Sequence, residues 1–171
     1  MRLRLLDEAR RLTITQGSVP SLNALAAAAG VSKGGLVHHF PTRAALVDGL
    51  ARAAIAEVDH VMLAAATAGT ASVTWLQLAS PKPAEADLFR ALAAAYQSIE
   101  DDCTGTLTAA AEAAGRWEAL IADEVGDALT ARVIRLLGDG ITFNTLVGIP
   151  VPVDDAAELI HRVTHLAQPR T

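Results

Sequence analysis

The segment over residues 21–43 constrains the fold of this chain most, because Ser21, Gly30 and Ser32 divide it into two short stretches. Ser21 precedes the first stretch, and a serine there caps a helix by accepting a hydrogen bond from a free backbone N–H group. Gly30 ends this stretch, since glycine adopts the left-handed conformation of a tight turn without a steric penalty. Ser32 then caps a second helix, which stops at Phe40-Pro41. The segment therefore predicts two helices joined by a tight turn.

The rest of the chain predicts helices as well. Apolar residues make up 51% of the chain and alanine dominates them, which favours helices because alanine loses no side-chain entropy there. Apolar positions recur at helical spacing, and we find no alternating strand pattern. Besides the two short helices, we expect helices at about 3–15, 43–66, 75–79, 84–101, 105–123 and 127–147, with a last one, capped by Asp154-Asp155, ending near 166.

The predicted fold class is therefore all-α, with a three-helix head joined by a long helix to a helical-bundle body. We place the domains at residues 1–45 and 46–171. Charge divides the chain in the same way, because residues 1–45 carry six basic and two acidic side chains and the remainder carries eight and seventeen. Such an asymmetry indicates that the basic part meets a polyanion.

The chain carries a single cysteine, Cys103, so an intramolecular disulfide is excluded and a reducing compartment is expected. The N-terminal residues lack the apolar core of a signal peptide. The longest uncharged apolar run, over 24–31, is far shorter than the ~20 residues that a membrane span requires. We therefore expect a cytoplasmic protein without a membrane partner.

Residues 32–43, Ser-Lys-Gly-Gly-Leu-Val-His-His-Phe-Pro-Thr-Arg, resemble the signature of the tetracycline-repressor (TetR) family. Leu5–Ala9 and Gly17 resemble the first helix of that family, so the similarity covers about residues 4–50. The resemblance implies a helix-turn-helix that places its second helix in the DNA major groove. It further implies that ten residues contact DNA, and that four of them, Lys33, His38, Thr42 and Arg43, face phosphates. The ten residues are Ser21, Ser32, Lys33, Gly34, Gly35, Val37, His38, His39, Thr42 and Arg43.

Two residues of this segment depart from the family pattern. Gly35 replaces a small hydroxyl residue, and Val37 replaces a tyrosine. Each lost hydrogen bond is worth about 1 kcal/mol, or roughly fivefold in affinity per site. Val37 could instead contact a thymine methyl group. A plain helical corner is the competing interpretation of the segment, but it requires neither the doubled glycine nor the basic residues.

In the body, the resemblance implies a homodimer formed by the last two helices, here about 127–166. Residues 128–147 contain many small and apolar positions, among them Ala131, Val133, Ile134, Gly138 and Ile141, and small residues allow helices to approach closely. Burial inside one subunit is the competing explanation. A symmetric dimer also suits a pseudo-palindromic operator in double-stranded DNA.

The resemblance also implies that the body encloses a small-molecule effector, expected to be apolar or aromatic from the side chains available to line a pocket. Filling the core is the competing role for each of these side chains. The candidates are Met62, Trp75, Phe89, Tyr96, Trp117 and Phe143.

The leading hypothesis is a dimeric transcriptional regulator, a repressor that a small apolar effector releases from its operator. The alternative is a TetR-like helical ligand-binding protein with weak or lost sequence-specific DNA binding. We predict no enzyme, cofactor or metal site: acids such as Glu112 and Glu124 are typical of a solvated face. His161 and His165 have a spacing that can bind a metal, although histidines near a helix end also complement its dipole.

Overall fold

The computed structural model describes residues 1–97, 104–149 and 156–166. Within these ranges the regular structure is entirely helical, which confirms the all-α prediction. No helix in the described ranges combines the length and hydropathy needed to cross a membrane. The helices are α1 (Arg2–Gln16), α2 (Leu22–Ala29), α3 (Lys33–His39), α4 (Arg43–Thr67), α5 (Ala71–Leu78), α6 (Pro83–Gln97), α7 (Thr104–Val125), α8 (Ala128–Leu146) and α9 (Ala156–Leu166).

The N-terminal helices begin and end at the residues that the sequence indicates. Ser21, Ser32 and Thr42 each accept a hydrogen bond from the backbone N–H group three residues further on, over 3.2, 3.1 and 3.0 Å. Gly17 and Gly30 end α1 and α2 in the left-handed conformation, with φ of 68° and 65°. These caps satisfy backbone groups that a helix end otherwise leaves free. The cap predicted at Asp154-Asp155 lies outside the described residues.

The short helix α5 begins at Ala71, four residues before the start predicted at Trp75. Glu124 explains the difference, because its carboxylate accepts hydrogen bonds from the Ser72 backbone N–H group at 3.1 Å and from the Ser72 hydroxyl at 2.5 Å. A carboxylate at a helix N-terminus satisfies free N–H groups and complements the helix dipole. The assignment of Glu124 to a solvated face was therefore wrong: it anchors the first turn of α5.

The described residues form two compact units. Unit 1 is built from Met1–Ile55 and Pro83–Ala109, and unit 2 from Ala56–Lys82 and Ala110–Thr171. In unit 1, Leu36, Phe40 and Leu46 are fully buried. They share a core with residues from α1, α2 and α6, whose buried members include Leu5, Leu6, Ala9, Leu25, Leu88 and Leu92.

Gly49 allows α4 to approach the rest of the unit 1 core closely. A Cβ atom at this position would lie 2.9 Å from Phe40 Cε1 and 3.2 Å from Leu6 Cδ2. The Arg2 guanidinium lies over the Phe40 ring, 4.8 Å from its centroid. A guanidinium at this distance interacts favourably with an aromatic ring, so α1, α3 and α4 meet at Phe40.

Unit 2 has a separate core built on aromatic and aliphatic side chains. Its buried members include Met62, Trp75, Leu76, Ile121 and Ile134. The Trp75 indole N–H donates a hydrogen bond to the Arg135 carbonyl oxygen at 3.1 Å. Gly138 makes room for this indole, because a Cβ atom there would lie 2.2 Å from Trp75 Nε1. The fit of α5 against α8 therefore depends on a residue without a side chain.

Candidate nucleic-acid interface

The helix-turn-helix is held together by a tight turn and two buried leucines. Gly30 turns the chain after α2, and the Val31 backbone N–H group donates to the Ala26 carbonyl oxygen at 3.0 Å. Leu25 of α2 and Leu36 of α3 are both fully buried in the unit 1 core. Because each helix buries one side against this core, the opposite side of α3 faces outward and is available to DNA.

The outward side of α3 carries few side chains. Successive helical residues are about 100° apart, so Gly34 and His38 lie opposite the buried Leu36, with Gly35 and Val37 on the flanks. Gly34, Gly35 and His38 are exposed and Val37 is partly buried. Beyond backbone, this face therefore presents one imidazole and one isopropyl group.

All ten residues predicted to contact DNA lie in unit 1 between residues 21 and 43. Val37 and His39 are partly buried, and the other eight are exposed. The hydroxyl groups of Ser21 and Ser32 accept helix-capping hydrogen bonds, so these two serines also fix where α2 and α3 begin. The rings of His38 and His39 meet edge to face, with centroids 5.4 Å apart.

Arg43 has a structural contact that the sequence pattern did not indicate. Its Nη2 atom donates a hydrogen bond at 3.3 Å to the carbonyl oxygen of Val19, in the loop between α1 and α2. This contact ties the start of α4 to that loop. A guanidinium has five N–H donors, so Arg43 can brace the head and still present donors to a phosphate.

A groove of about 390 Å³ lies between α1 and the end of α2 in unit 1. Its lining mixes both charges: Met1, Arg4, Leu5, Asp7, Glu8, Arg11, Ala28, Ala29 and Val31. Arg11 Nη2 lies 2.6 Å from Glu8 Oε1, and this hydrogen bond holds the pKa of Glu8 below its ordinary value and raises that of Arg11. Part of the positive charge of α1 is therefore offset locally, and the i,i+3 spacing of this pair could have been read from the sequence.

The six candidate pocket residues do not share one cluster. Met62, Trp75 and Trp117 belong to the core of unit 2. Tyr96 packs against the core of unit 1, and Phe89 lies partly buried on α6 of the same unit. Phe143 is 64% exposed on α8.

Asp59 of α4 contacts the Trp75–Trp117 pair of unit 2, a role that the sequence analysis did not predict. Its carboxylate accepts hydrogen bonds from the Trp117 indole N–H at 2.7 Å and from Arg116 Nη2 at 2.6 Å. Trp117 in turn lies 5.3 Å from Trp75, centroid to centroid. No residue-type signal links positions so far apart in sequence, because the contact exists only where α4 and α7 meet within unit 2.

His161 and His165 lie together on α9, with ring centroids 4.1 Å apart. Among the described residues, no group of three or more His, Cys, Asp or Glu side chains is arranged to hold a metal ion. Glu158, the acidic residue one turn before His161, pairs with Arg162 at 2.7 Å. This pairing holds the pKa of Glu158 below its ordinary value.

Known proteins are similar to this chain at two levels, a family model over the head and a solved structure over nearly the whole chain. The family model for bacterial regulatory proteins, tetR family, matches residues 5–50. The crystal structure of the multidrug binding protein EbrR complexed with imidazole is similar over 99% of this chain and 97% of that chain, with a TM-score of 0.69 and 25% sequence identity. No curated protein sequence matches this chain. Residues 5–50 therefore match the TetR family of bacterial regulatory proteins, in agreement with the resemblance seen in the sequence, and the fold of the chain is similar to that of EbrR.

Proposed function

We propose that this protein is a homodimeric transcriptional regulator that binds a pseudo-palindromic DNA operator through its head, and a repressor that a small apolar effector releases. The observation that carries the proposal is the outward face of α3, next to the exposed cations Lys33 and Arg43 on a TetR-type helix-turn-helix. Cations beside a helix that fits the major groove provide the phosphate contacts that dominate affinity for DNA.

DNA binding is tested by fluorescence anisotropy with the promoter DNA that adjoins the gene. Lys33→Ala should weaken binding by about tenfold or more and reduce the salt dependence, by about one phosphate contact per head. Lys82→Ala is the matched control, because it removes the same charge outside the head. Equal binding by Lys33→Ala and Lys82→Ala would contradict the proposal. Arg43→Ala should also weaken binding, but its contact with Val19 makes it the less specific variant.

A row of exposed apolar residues along α8 and its C-terminal cap, the seam, supports a dimer in which this helix pairs with the same helix of a second subunit. The seam follows spacings of four and three residues and consists of Leu129, Val133, Leu136, Gly140, Phe143 and Val147. Its five side chains are 46% to 69% exposed, and this spacing is the one by which two helices pair side by side. Ala131, Ile134, Gly138 and Ile141, which are also small or apolar residues of α8, are buried within the subunit and are not free to pair.

The dimer is tested with a charge placed in the seam. Leu136→Glu should convert the protein to a monomer in analytical ultracentrifugation, because a charge in an apolar interface remains unpaired. Leu107→Glu on α7 is the control, since Leu107 is 66% exposed and lies outside the seam. Both leucines are surface residues, so helix content by circular dichroism should not change. A Leu136→Glu protein that stays dimeric would refute this interface.

The aromatic cluster of unit 2 supports an apolar or aromatic effector. Met62, Trp75 and Trp117 pack together there, and aromatic side chains with a few polar groups are typical of small-molecule sites. The similar solved structure is that of a multidrug binding protein complexed with imidazole. Likeness to that protein extends the same expectation, a small aromatic ligand, to this chain.

Effector binding is tested by the fluorescence of Trp75 and Trp117, which are the only tryptophans of the chain. Titration with imidazole and with larger apolar aromatic compounds should shift the emission, and a compound that binds should lower the affinity for DNA. Coupling between two sites is reciprocal, so operator DNA should lower the affinity for the compound by the same factor. A compound that binds without changing the affinity for DNA would contradict release by that compound.

A further inference from the structure

We infer that Val37 reads one thymine of each half-site by packing its isopropyl group against the 5-methyl group of that base. The inference rests on the proposed DNA binding and adds a specificity-determining residue to it. Three observations support it: the groups that the outward face of α3 presents, the glycine at position 34, and the chemistry that a valine offers to a base pair.

Gly34, three residues before Val37, is not required by the fold of the free protein. A Cβ atom at Gly34 would have no heavy atom within 4 Å, and Gly34 does not adopt a positive φ. Glycine destabilises a helix interior relative to alanine, so its presence in the seven-residue α3 has a cost that internal packing does not offset. Close approach of the α3 backbone to a surface outside the protein is the use that fits an exposed glycine.

Gly34 and Val37 are neighbours on the helix surface, because residues three apart lie one above the other. The missing side chain at Gly34 leaves a hollow that the Val37 side chain borders. Val37 is partly buried, and its β-branched side chain has few rotamers, so its methyl groups have a restricted range of positions. An exposed hollow with an apolar edge accepts a small apolar group of a base.

Valine has no hydrogen-bond donor or acceptor and therefore cannot read the polar edges of base pairs. The apolar group that the major groove displays is the 5-methyl group of thymine. The cations Lys33 and Arg43 stand at the two ends of the α3 segment, before and after this face, where they suit phosphates. Base readout by α3 then depends on the Val37 contact and on the exposed imidazole of His38.

The test begins with selection of bound sequences from random DNA by the full-length protein. Each thymine of the selected operator is then replaced by deoxyuridine, which removes only the methyl group. At one position per half-site, wild-type affinity should fall about fourfold, and about fifteenfold when both half-sites are changed, from the transfer free energy of one buried methyl group. Other thymine positions should show less than twofold loss.

Two variants connect the effect to these residues. Val37→Ala should bind thymine and deoxyuridine operators equally, because it lacks the isopropyl group. Gly34→Ala should bind the thymine operator more weakly, since its methyl group fills the hollow, although thermal unfolding should show it to be at least as stable as wild type. Circular dichroism of both variants checks that they are folded.

The possible failures are distinguishable. If no sequence is selected, the proposed DNA-binding function fails. If sequences are selected but no deoxyuridine substitution weakens binding, the thymine contact is refuted and the proposed function stands. If a deoxyuridine effect persists undiminished in Val37→Ala, another residue reads the methyl group and the assignment to Val37 is overturned.

Discussion

Gly138→Ala tests whether the fit between α5 and α8 holds unit 2 together. The added Cβ atom would lie 2.2 Å from Trp75 Nε1 and 2.8 Å from its Cδ1 and Cε2 atoms. Trp75 is 7% exposed and its indole N–H donates to the Arg135 carbonyl oxygen, so the ring cannot move without breaking a buried hydrogen bond. The variant therefore introduces a steric clash with an indole ring that burial and a hydrogen bond both hold in place.

The magnitude follows from three contributions. Overpacking a core costs about 1–3 kcal/mol, and leaving a buried donor unsatisfied costs about 1–3 kcal/mol. Replacing glycine by alanine inside a helix stabilises the helix by about 1 kcal/mol, which opposes the first two contributions. Together these contributions predict that Gly138→Ala lowers the free energy of unfolding by about 1–5 kcal/mol. Urea denaturation at one protein concentration, followed by circular dichroism and tryptophan emission, measures the change.

Gly115→Ala on α7 is the matched control, because a Cβ atom there has no heavy atom within 4 Å. It should raise stability by up to about 1 kcal/mol through helix propensity alone. In a Trp75→Phe background the cost of Gly138→Ala should shrink, because the indole edge that meets the Cβ atom is gone. A Gly138→Ala protein as stable as wild type, or an unchanged cost in that background, would refute the reasoning.

Three further predictions concern unit 1 and α7. Gly49→Ala should destabilise the protein by about 1–2 kcal/mol, since overpacking against the buried Phe40 ring exceeds the gain in helix propensity; urea denaturation measures it. Ser32→Ala should cost about 1 kcal/mol in the same assay because α3 loses its N-terminal cap. Glu118→Gln should lower stability at neutral pH, because the hydrogen bond from Arg135 holds the pKa of Glu118 below its ordinary value of 4.5. A carboxyl group with a lowered pKa stabilises the fold above pH 4.5 and loses this effect as the pH falls through its folded-state pKa, so the difference from wild type should disappear in acid.

Each of these variants has a control that makes the same type of substitution at another position. Gly34→Ala adds a methyl group in open space and should not destabilise the protein. Ser18→Ala changes an exposed serine that caps no helix, and should leave stability within about 0.5 kcal/mol of wild type. Glu112→Gln removes an exposed charge on α7 and should leave stability at neutral pH within about 0.5 kcal/mol of wild type. Destabilisation by any control equal to that of its partner variant would contradict the assigned cause.

The helix-turn-helix could be predicted from the sequence because its determinants are local. The caps at Ser21, Ser32 and Thr42 act on backbone groups only three residues away. The turns at Gly17 and Gly30 depend on the backbone freedom of a single residue. Interactions of this range involve residues that are close together in the sequence. The helix boundaries in the head therefore agree with the predicted ones.

The contacts that complete the site and the body could not be predicted, because their partners are far apart in sequence. Arg43 reaches the Val19 carbonyl oxygen across 24 positions, and Asp59 reaches Trp117 across 58. Glu124 caps a helix that begins more than 50 residues earlier, which moved the start of α5. Nothing in the local pattern around any of these residues specifies the partner.

The two sides of α8 show the division between sequence and structure most clearly. Composition and spacing determine that residues 128–146 form a helix rich in small and apolar side chains. Ile134 and Ile141 face the core of unit 2, whereas Leu136 and Phe143 are exposed. Helical periodicity fixes which residues share a face, but only the packing of neighbouring helices decides which face is buried, because burial depends on surfaces that distant segments supply.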